Sequence, residues 1–386
     1  MPTFEKKSKM ETPFVFGKLA IGGEFTNREQ ERKLLADNFS SLVNTILISP
    51  RRWGKSSLVQ MAAKDAIAAN SELHFCFLDV FSVRTEEQFY QHLATELLKA
   101  SSSKVELLLD NAGRFLGRFL PKLSFSPDAQ NEISLGLDWE EVKKQPDDIL
   151  NMAEKLAIEK GWKLIVCIDE FQNISTFENP LAFQKKLRSQ WQRHQHVAYC
   201  LYGSKRHMLM EVFTNPSMPF YKFGSLLFLE KIKKESWIPF ICSRFEQTQK
   251  HIDQEGAALI ADLAECHPYY VQQLAQQSWL RTDDTCSTKI VVEAHRSIID
   301  QLSLLFQSKT DELTNSQINF LKALTDGVEK FSSKETLDKY KIGTSANVLR
   351  VKNTLESKEI IDIQGGNVSL LDPMYKSWLK IYYFKN

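Results

Sequence analysis

Compact apolar runs alternate with amphipathic stretches from Thr45 to Leu229. The runs Thr45 to Ile48, Leu73 to Val80, Trp162 to Ile168, Val197 to Ser204 and Ser225 to Leu229 are of strand length and near-continuously apolar, which predicts strands buried on both faces. Between them, Lys55 to about Ala69, Glu86 to Leu98, Asp147 to Lys160, Phe183 to Gln195 and His207 to Phe213 have helical spacing, with Gly161 ending the third. Alternating strands and helices mean an α/β domain with a mainly parallel sheet, whose ligands gather at the strands' carboxyl ends. Ahead of the first strand, Thr26 or Asn27 is the expected cap of a helix with Glu29 and Glu31 in its first turn. Lys122 to Ser126 and Glu132 to Leu137 alternate polar and apolar residues around a Pro127-Asp128 turn, predicting a hairpin that leaves the sheet over about 120–138.

The pattern changes after Ser236. Trp237 to Thr248, Gln254 to Cys266, Tyr269 to Leu280 and Ile290 to Phe306 are helical segments with no strand signal among them. In the tail, Thr314-Asn315-Ser316-Gln317 caps a helix ending near Asp326-Gly327, Ser332-Ser333-Lys334-Glu335 starts a second, and Thr344 to Glu356 makes a third. Ile360 to Ile363 and Val368 to Leu371 flank Gly365-Gly366 as a hairpin. Three helices and a β-hairpin make a winged helix. The expected division is therefore an α/β core over 1–235, a helical lid over 236–306 and a winged-helix domain over 307–386.

Candidate chemistry begins where the first strand ends. Ser49-Pro50-Arg51-Arg52-Trp53-Gly54-Lys55-Ser56-Ser57 joins that strand to a helix, the context a phosphate-binding loop requires. Backbone N–H groups at the helix start face phosphate oxygens, Lys55 sets an ammonium on the outer phosphates, and the Ser56 hydroxyl ligates Mg²⁺. The full pattern asks for Gly where this chain has Ser49, so the loop there has either a torsion that a Cβ tolerates or some strain. A second strand ends in Asp169-Glu170. Asp169 is the candidate second Mg²⁺ contact and Glu170 the candidate that polarises attacking water. Such a pair also caps helices, but a phosphate loop upstream favours the catalytic reading. Ser204, after another buried strand, is a candidate γ-phosphate contact and equally a strand terminator.

Composition narrows the alternatives. With 49 Lys and Arg against 48 Asp and Glu, the net charge of +1 gives no global pull toward nucleic acid or anionic membrane. The six cysteines have no CxxC spacing and several lie in apolar runs; with no apolar segment after Lys6, Lys7 and Lys9, reduced thiols and a cytoplasmic location are expected. No membrane span is expected either. His194 and His196 lack partners at metal-ligand spacing, which disfavours a metalloenzyme or a Cys/His nucleophile. Cations and carboxylates nearly balance in the tail, where Lys341, Arg350, Lys352 and Lys358 form the one local cluster.

Taken together, Phe25-Thr26-Asn27-Arg28-Glu29, Ser49 to Leu58, Ile168-Asp169-Glu170-Phe171-Gln172, Gly203-Ser204 and His267-Pro268-Tyr269-Tyr270 resemble the motifs of the archaeal-type ATPases, on the AAA+ and STAND branch of P-loop proteins. The resemblance covers nearly the whole chain. It implies that Phe25, Arg28 and Pro268 neighbour the adenine, that Ser204 is a sensor near the γ-phosphate, and that ATP and Mg²⁺ are bound. Lys222, where relatives often carry arginine, puts an arginine finger in doubt. Three functions stay open: an ATP-driven conformational switch with slow hydrolysis; a nucleotide-regulated factor binding duplex DNA through the winged helix; and an assembly module with a protein partner and ATP-dependent oligomers.

Overall fold

The computed structural model describes residues 12–101, 111, 113–116 and 137–384. The expected hairpin over about 120–138 lies outside the described residues except for its last two positions. The chain forms two compact units, Arg28–Glu230 and Met1–Asn27 with Lys231–Asn386.

The first unit holds α1 (Glu29–Ser40), β1 (Thr45–Ile48), α2 (Lys55–Ala69), β2 (Leu73–Asp79), α3 (Glu86–Ser101), α4 (Trp139–Lys144), α5 (Pro146–Leu150), α6 (Met152–Lys160), β3 (Lys163–Asp169), α7 (Pro180–Trp191), β4 (Val197–Gly203), α8 (Arg206–Thr214) and β5 (Ser225–Phe228). The five strands make one sheet in the order β2-β3-β4-β1-β5, and every pairing is parallel. Burial follows that order. All of β4 and the five inner residues of β3 are buried, as central strands covered on both faces must be, whereas the edge strand β5 alternates. Aromatic side chains including Phe89, Phe171, Phe183 and Trp191 fill one side of the sheet. The order also sets β4 between β1 and β3, so the carboxyl ends of these three strands lie side by side, roughly 5 Å apart from neighbour to neighbour.

Two local expectations are corrected. Neither Thr26 nor Asn27 caps α1: Arg28 takes the cap position in the left-handed region, at φ 75°, without a side-chain cap bond. Asp147 to Lys160 is not one helix but α5 and α6, divided at Asn151, whose amide donates to the Asp147 carbonyl and to Gln190 Oε1 while its oxygen contacts His194.

In the second unit, α9 (Lys234–Glu246), α10 (Gln254–Leu263), α11 (Pro268–Leu280) and α12 (Thr288–Asp311) enclose a small parallel pair, β6 (His251–Ile252) with β7 (Thr285–Cys286), that the helical spacing does not announce. The tail contributes α13 (Asn315–Thr325), α14 (Lys334–Tyr340), α15 (Ser345–Ser357), an antiparallel hairpin β8 (Ile361–Gln364) and β9 (Asn367–Leu370), and α16 (Pro373–Trp378). Thr314, Ser333 and Thr344 each accept a backbone N–H as helix caps, within the stretches where the sequence predicts these helices to start. One hydrophobic core runs from Phe14 through the helices to Leu379, with Phe14 packed on Phe240 and Phe245. No helix among the described residues is long and apolar enough to cross a membrane.

Candidate nucleotide site

The end of β1 feeds a loop in which Ser49 is fully buried and its hydroxyl donates to the Pro50 carbonyl at 2.9 Å. Ser49 is not among the positive-φ residues; the left-handed torsions fall on Arg52, at 65°, and on Gly54, at 84°. The missing glycine thus coincides with a torsion that any residue adopts, and the position that needs glycine has it. Gly54 is the N-cap of α2, so the N–H groups of the first helical turn begin at Lys55. Arg51 and Arg52 are exposed, whereas Trp53, Lys55 and Ser57 are buried.

The adjacent strand ends bring the acidic residues to this helix start. Lys55 Nζ lies 3.4 Å from Glu170 Oε1 and 3.9 Å from Asp169 Oδ1. The Ser56 hydroxyl donates to Asp169 Oδ2 at 2.6 Å. Ser204, at the end of β4, donates to Glu170 Oε2 twice, from its N–H at 3.1 Å and its hydroxyl at 2.9 Å. Residues 115 and 34 positions apart in sequence therefore share one small polar cluster.

Two motif residues join this cluster to which the sequence assigned no role of their own. Gln172 Nε2 donates to Glu170 Oε2 at 2.5 Å. Gly203 makes room for that amide: a Cβ there would stand 1.8 Å from Gln172 Oε1. The motif Asp169-Glu170-Phe171-Gln172 contained the signal, but only the fold shows that the glutamine turns back onto the carboxylate.

The two neighbouring carboxylates differ in their electrostatics. Burial pushes the Asp169 carboxyl above its ordinary range, with Lys55 and Ser56 opposing incompletely. Burial acts on Glu170 the same way, but Lys55, Gln172 and Ser204 together outweigh it and hold this carboxyl below the usual range. Glu170 is thus an anion at neutral pH, the form a proton acceptor requires.

The donor set also decides which metal suits the site. Among the described residues, no group of three or more His, Cys, Asp and Glu side chains converges, so no all-protein cage is built. One hydroxyl and one carboxylate, both hard oxygen donors in mutual contact, fit Mg²⁺, which keeps waters and phosphate oxygens as its other ligands.

Of the other predicted contacts, Arg28 belongs to this unit, buried, with a guanidinium nitrogen 2.9 Å from Glu31 Oε1. Phe25 and Pro268 belong to the second unit, Phe25 closing a short 3-10 turn and Pro268 opening α11.

No family model and no curated protein matches the chain by sequence. Solved structures match it in fold. The Walker-type ATPase paby2304 of Pyrococcus abyssi superposes with a TM-score of 0.68 at 16% identity, over 95% of this chain and 99% of that one. The ORC2 protein of Aeropyrum pernix, solved as ADPNP–ADP complexes, superposes with a TM-score of 0.52 at 14% identity, over 96% and 98%. The chain shares the overall fold of these two structures. In that fold, the cluster of Lys55, Ser56, Asp169, Glu170 and Ser204 stands at the carboxyl ends of β1, β3 and β4, where a parallel sheet presents its ligand site.

Proposed function

We propose that the chain is an archaeal-type member of the AAA+ ATPases that binds Mg-ATP on the loop Pro50 to Ser57 and hydrolyses it slowly, nucleotide state acting as a conformational switch. The observation that carries this reading is the convergence of Lys55, Ser56, Asp169, Glu170 and Ser204 in one partly buried cluster at the start of α2. Lys55 and the first N–H groups of α2 take the outer phosphates, and Ser204 reads the terminal one. Ser56 and Asp169 hold Mg²⁺, which supplies charge neutralisation on the phosphate oxygens. Glu170 accepts one proton from a water whose oxygen bonds to the terminal phosphorus as the bond from that phosphorus to the bridging oxygen breaks, leaving ADP and phosphate. Lys55 and Ser204 contacts to the terminal phosphate exist only before that cleavage, so the two nucleotide states differ in stability. Phe25, Arg28 and Pro268 are carried as adenine neighbours on the strength of their motif likeness. The switch reading keeps a lid over 236–306 and a winged helix over 307–386 as working divisions.

Calorimetry with Mg-ATP and phosphate release test the reading. Lys55→Ala should lose Mg-ATP binding. Glu170→Gln should bind Mg-ATP normally and turn over about 100- to 10,000-fold more slowly. Equal turnover by Glu170→Gln and the wild type would remove Glu170 from the mechanism.

For the tail, a protein partner is favoured over duplex DNA by what the cluster cations do. Lys352 lies over the Phe331 ring at 5.0 Å, Lys358 Nζ donates to the Glu312 carbonyl at 3.3 Å, and Arg350 donates to Asn347 Oδ1 at 3.0 Å, so these three cations are engaged within the chain. Light scattering with and without Mg-ATP tests nucleotide-dependent assembly. The six cysteines are free thiols, which supports a cytoplasmic setting.

A further inference from the structure

We propose that Gln172 is a positioning residue for Glu170, anchoring one carboxylate oxygen so that the other faces the attacking water; the proposal rests on the ATPase reading above. Glu170 Oε2 receives three donors, the Ser204 N–H at 3.1 Å, the Ser204 hydroxyl at 2.9 Å and Gln172 Nε2 at 2.5 Å. An oxygen with two lone pairs is saturated by these. Oε1 has Lys55 Nζ at 3.4 Å and retains accepting capacity. The two oxygens are thus made unequal, and Oε1 is the one free to take a proton.

The amide is placed for this task rather than for its own satisfaction. Its NH₂ must face the carboxylate, because the reverse orientation would set two acceptors against each other. Its oxygen is then buried with no hydrogen-bond partner among the described residues and points at Gly203, where a Cβ would stand 1.8 Å away. A glutamine that served only the fold would be expected to use both ends. This one, 1% exposed, engages the carboxylate and leaves its oxygen unmet.

The backbone that carries it is fixed on both sides. Phe171 and Ile174 are fully buried in the core, and Asn173 donates to the Val80 and Phe81 carbonyls at 3.1 and 3.0 Å. Glu170 itself sits in the left-handed region at φ 54°, uncommon for a residue with a side chain, and its carboxylate is held by Ser204, Gln172 and Lys55. Without the amide, Oε2 keeps only Ser204 and the carboxylate is freer to turn toward Lys55.

The test uses the full chain, Mg-ATP calorimetry for affinity and single-turnover phosphate release for rate. Gln172→Met keeps a similar length and removes the donor. Turnover should fall about 100-fold, as small misplacements of reacting groups do, while Mg-ATP affinity stays within about twofold. In a Glu170→Gln background the same substitution should cost nothing further, because no carboxylate remains to be aimed. Gly203→Ala should reproduce the loss with Gln172 intact, since the added Cβ displaces the amide. If Gln172→Met does not fold, Gln172→Asn carries the test, keeping the amide but withdrawing it by one methylene. Wild-type turnover in Gln172→Met, losses that multiply in the double variant, or a fall in affinity equal to the fall in rate would overturn the proposal alone. Failure of the wild type to bind Mg-ATP would overturn it together with the reading beneath it.

Discussion

Restoring the glycine that the phosphate-loop pattern asks for should harm this protein rather than help it. Ser49 lacks the positive φ that makes glycine useful, and its buried hydroxyl donates to the Pro50 carbonyl at 2.9 Å. Ser49→Gly removes a hydrogen bond with a net worth of about 1 kcal/mol. It also enlarges the conformational freedom of the unfolded chain at a cost of roughly 0.5–1 kcal/mol. The sum, about 1.5–2 kcal/mol, corresponds to a fall of about 3–8 °C in the melting temperature of a domain this size. Denaturant titration and thermal unfolding measure the stability, and single-turnover phosphate release measures the chemistry. Turnover should be unchanged or lower, because the left-handed torsions of the loop lie at Arg52 and Gly54 and are untouched. A tenfold gain in turnover, or a gain in stability, would show that Ser49 does strain the loop and would refute the torsional reasoning.

Two further outcomes concern the second unit. Burial pulls the His295 imidazole down to about 4, so the fold favours its neutral form. Above about pH 6.5 the ring is neutral in both states and contributes no pH dependence; between about 6.5 and 4 the unfolded chain binds a proton that the folded one refuses, and up to about 3 kcal/mol of stability is lost as pH falls. His295→Leu should flatten that acid limb in urea titrations at pH 7 and pH 4.5, and an unchanged limb would assign it to other groups. For the tail, duplex DNA binding should be weak at low salt with a log–log salt slope no steeper than about −2, the value for two phosphate contacts. A slope of about −4 or steeper, reduced by Arg350→Ala, would restore the DNA reading.

Much of the first unit was legible because its signals are local. Thr45 to Ile48 is buried at every residue, and a short, largely apolar run between turn residues has few other solutions. Helix α2 begins at Lys55 because Gly54 supplies the left-handed cap just ahead of it. What escaped depends on distant partners. Asn151 breaks the helical run because Gln190 and His194, far along the chain, take up its side chain. The pair β6 and β7 is two residues long on each side and has too short a pattern to register. Gln172 was visible as a letter in a motif, yet its role depends on Gly203, a strand away, lacking a side chain. Strand-end carboxylates and a phosphate loop are local patterns and can be picked out along the chain as candidates, whereas the hydrogen bonds among them are not.

The shared core of residues 12–27 with 231–386 has a consequence for the ribosome. Residues 28–230 are contiguous and complete a folding unit as soon as they emerge, but Phe14 must wait for Phe240 and Phe245. At roughly 5–20 residues per second that wait lasts on the order of 10–50 seconds. Through that interval the nascent chain carries an apolar arm with nowhere to dock, and the folded half precedes the half that gives the arm its place.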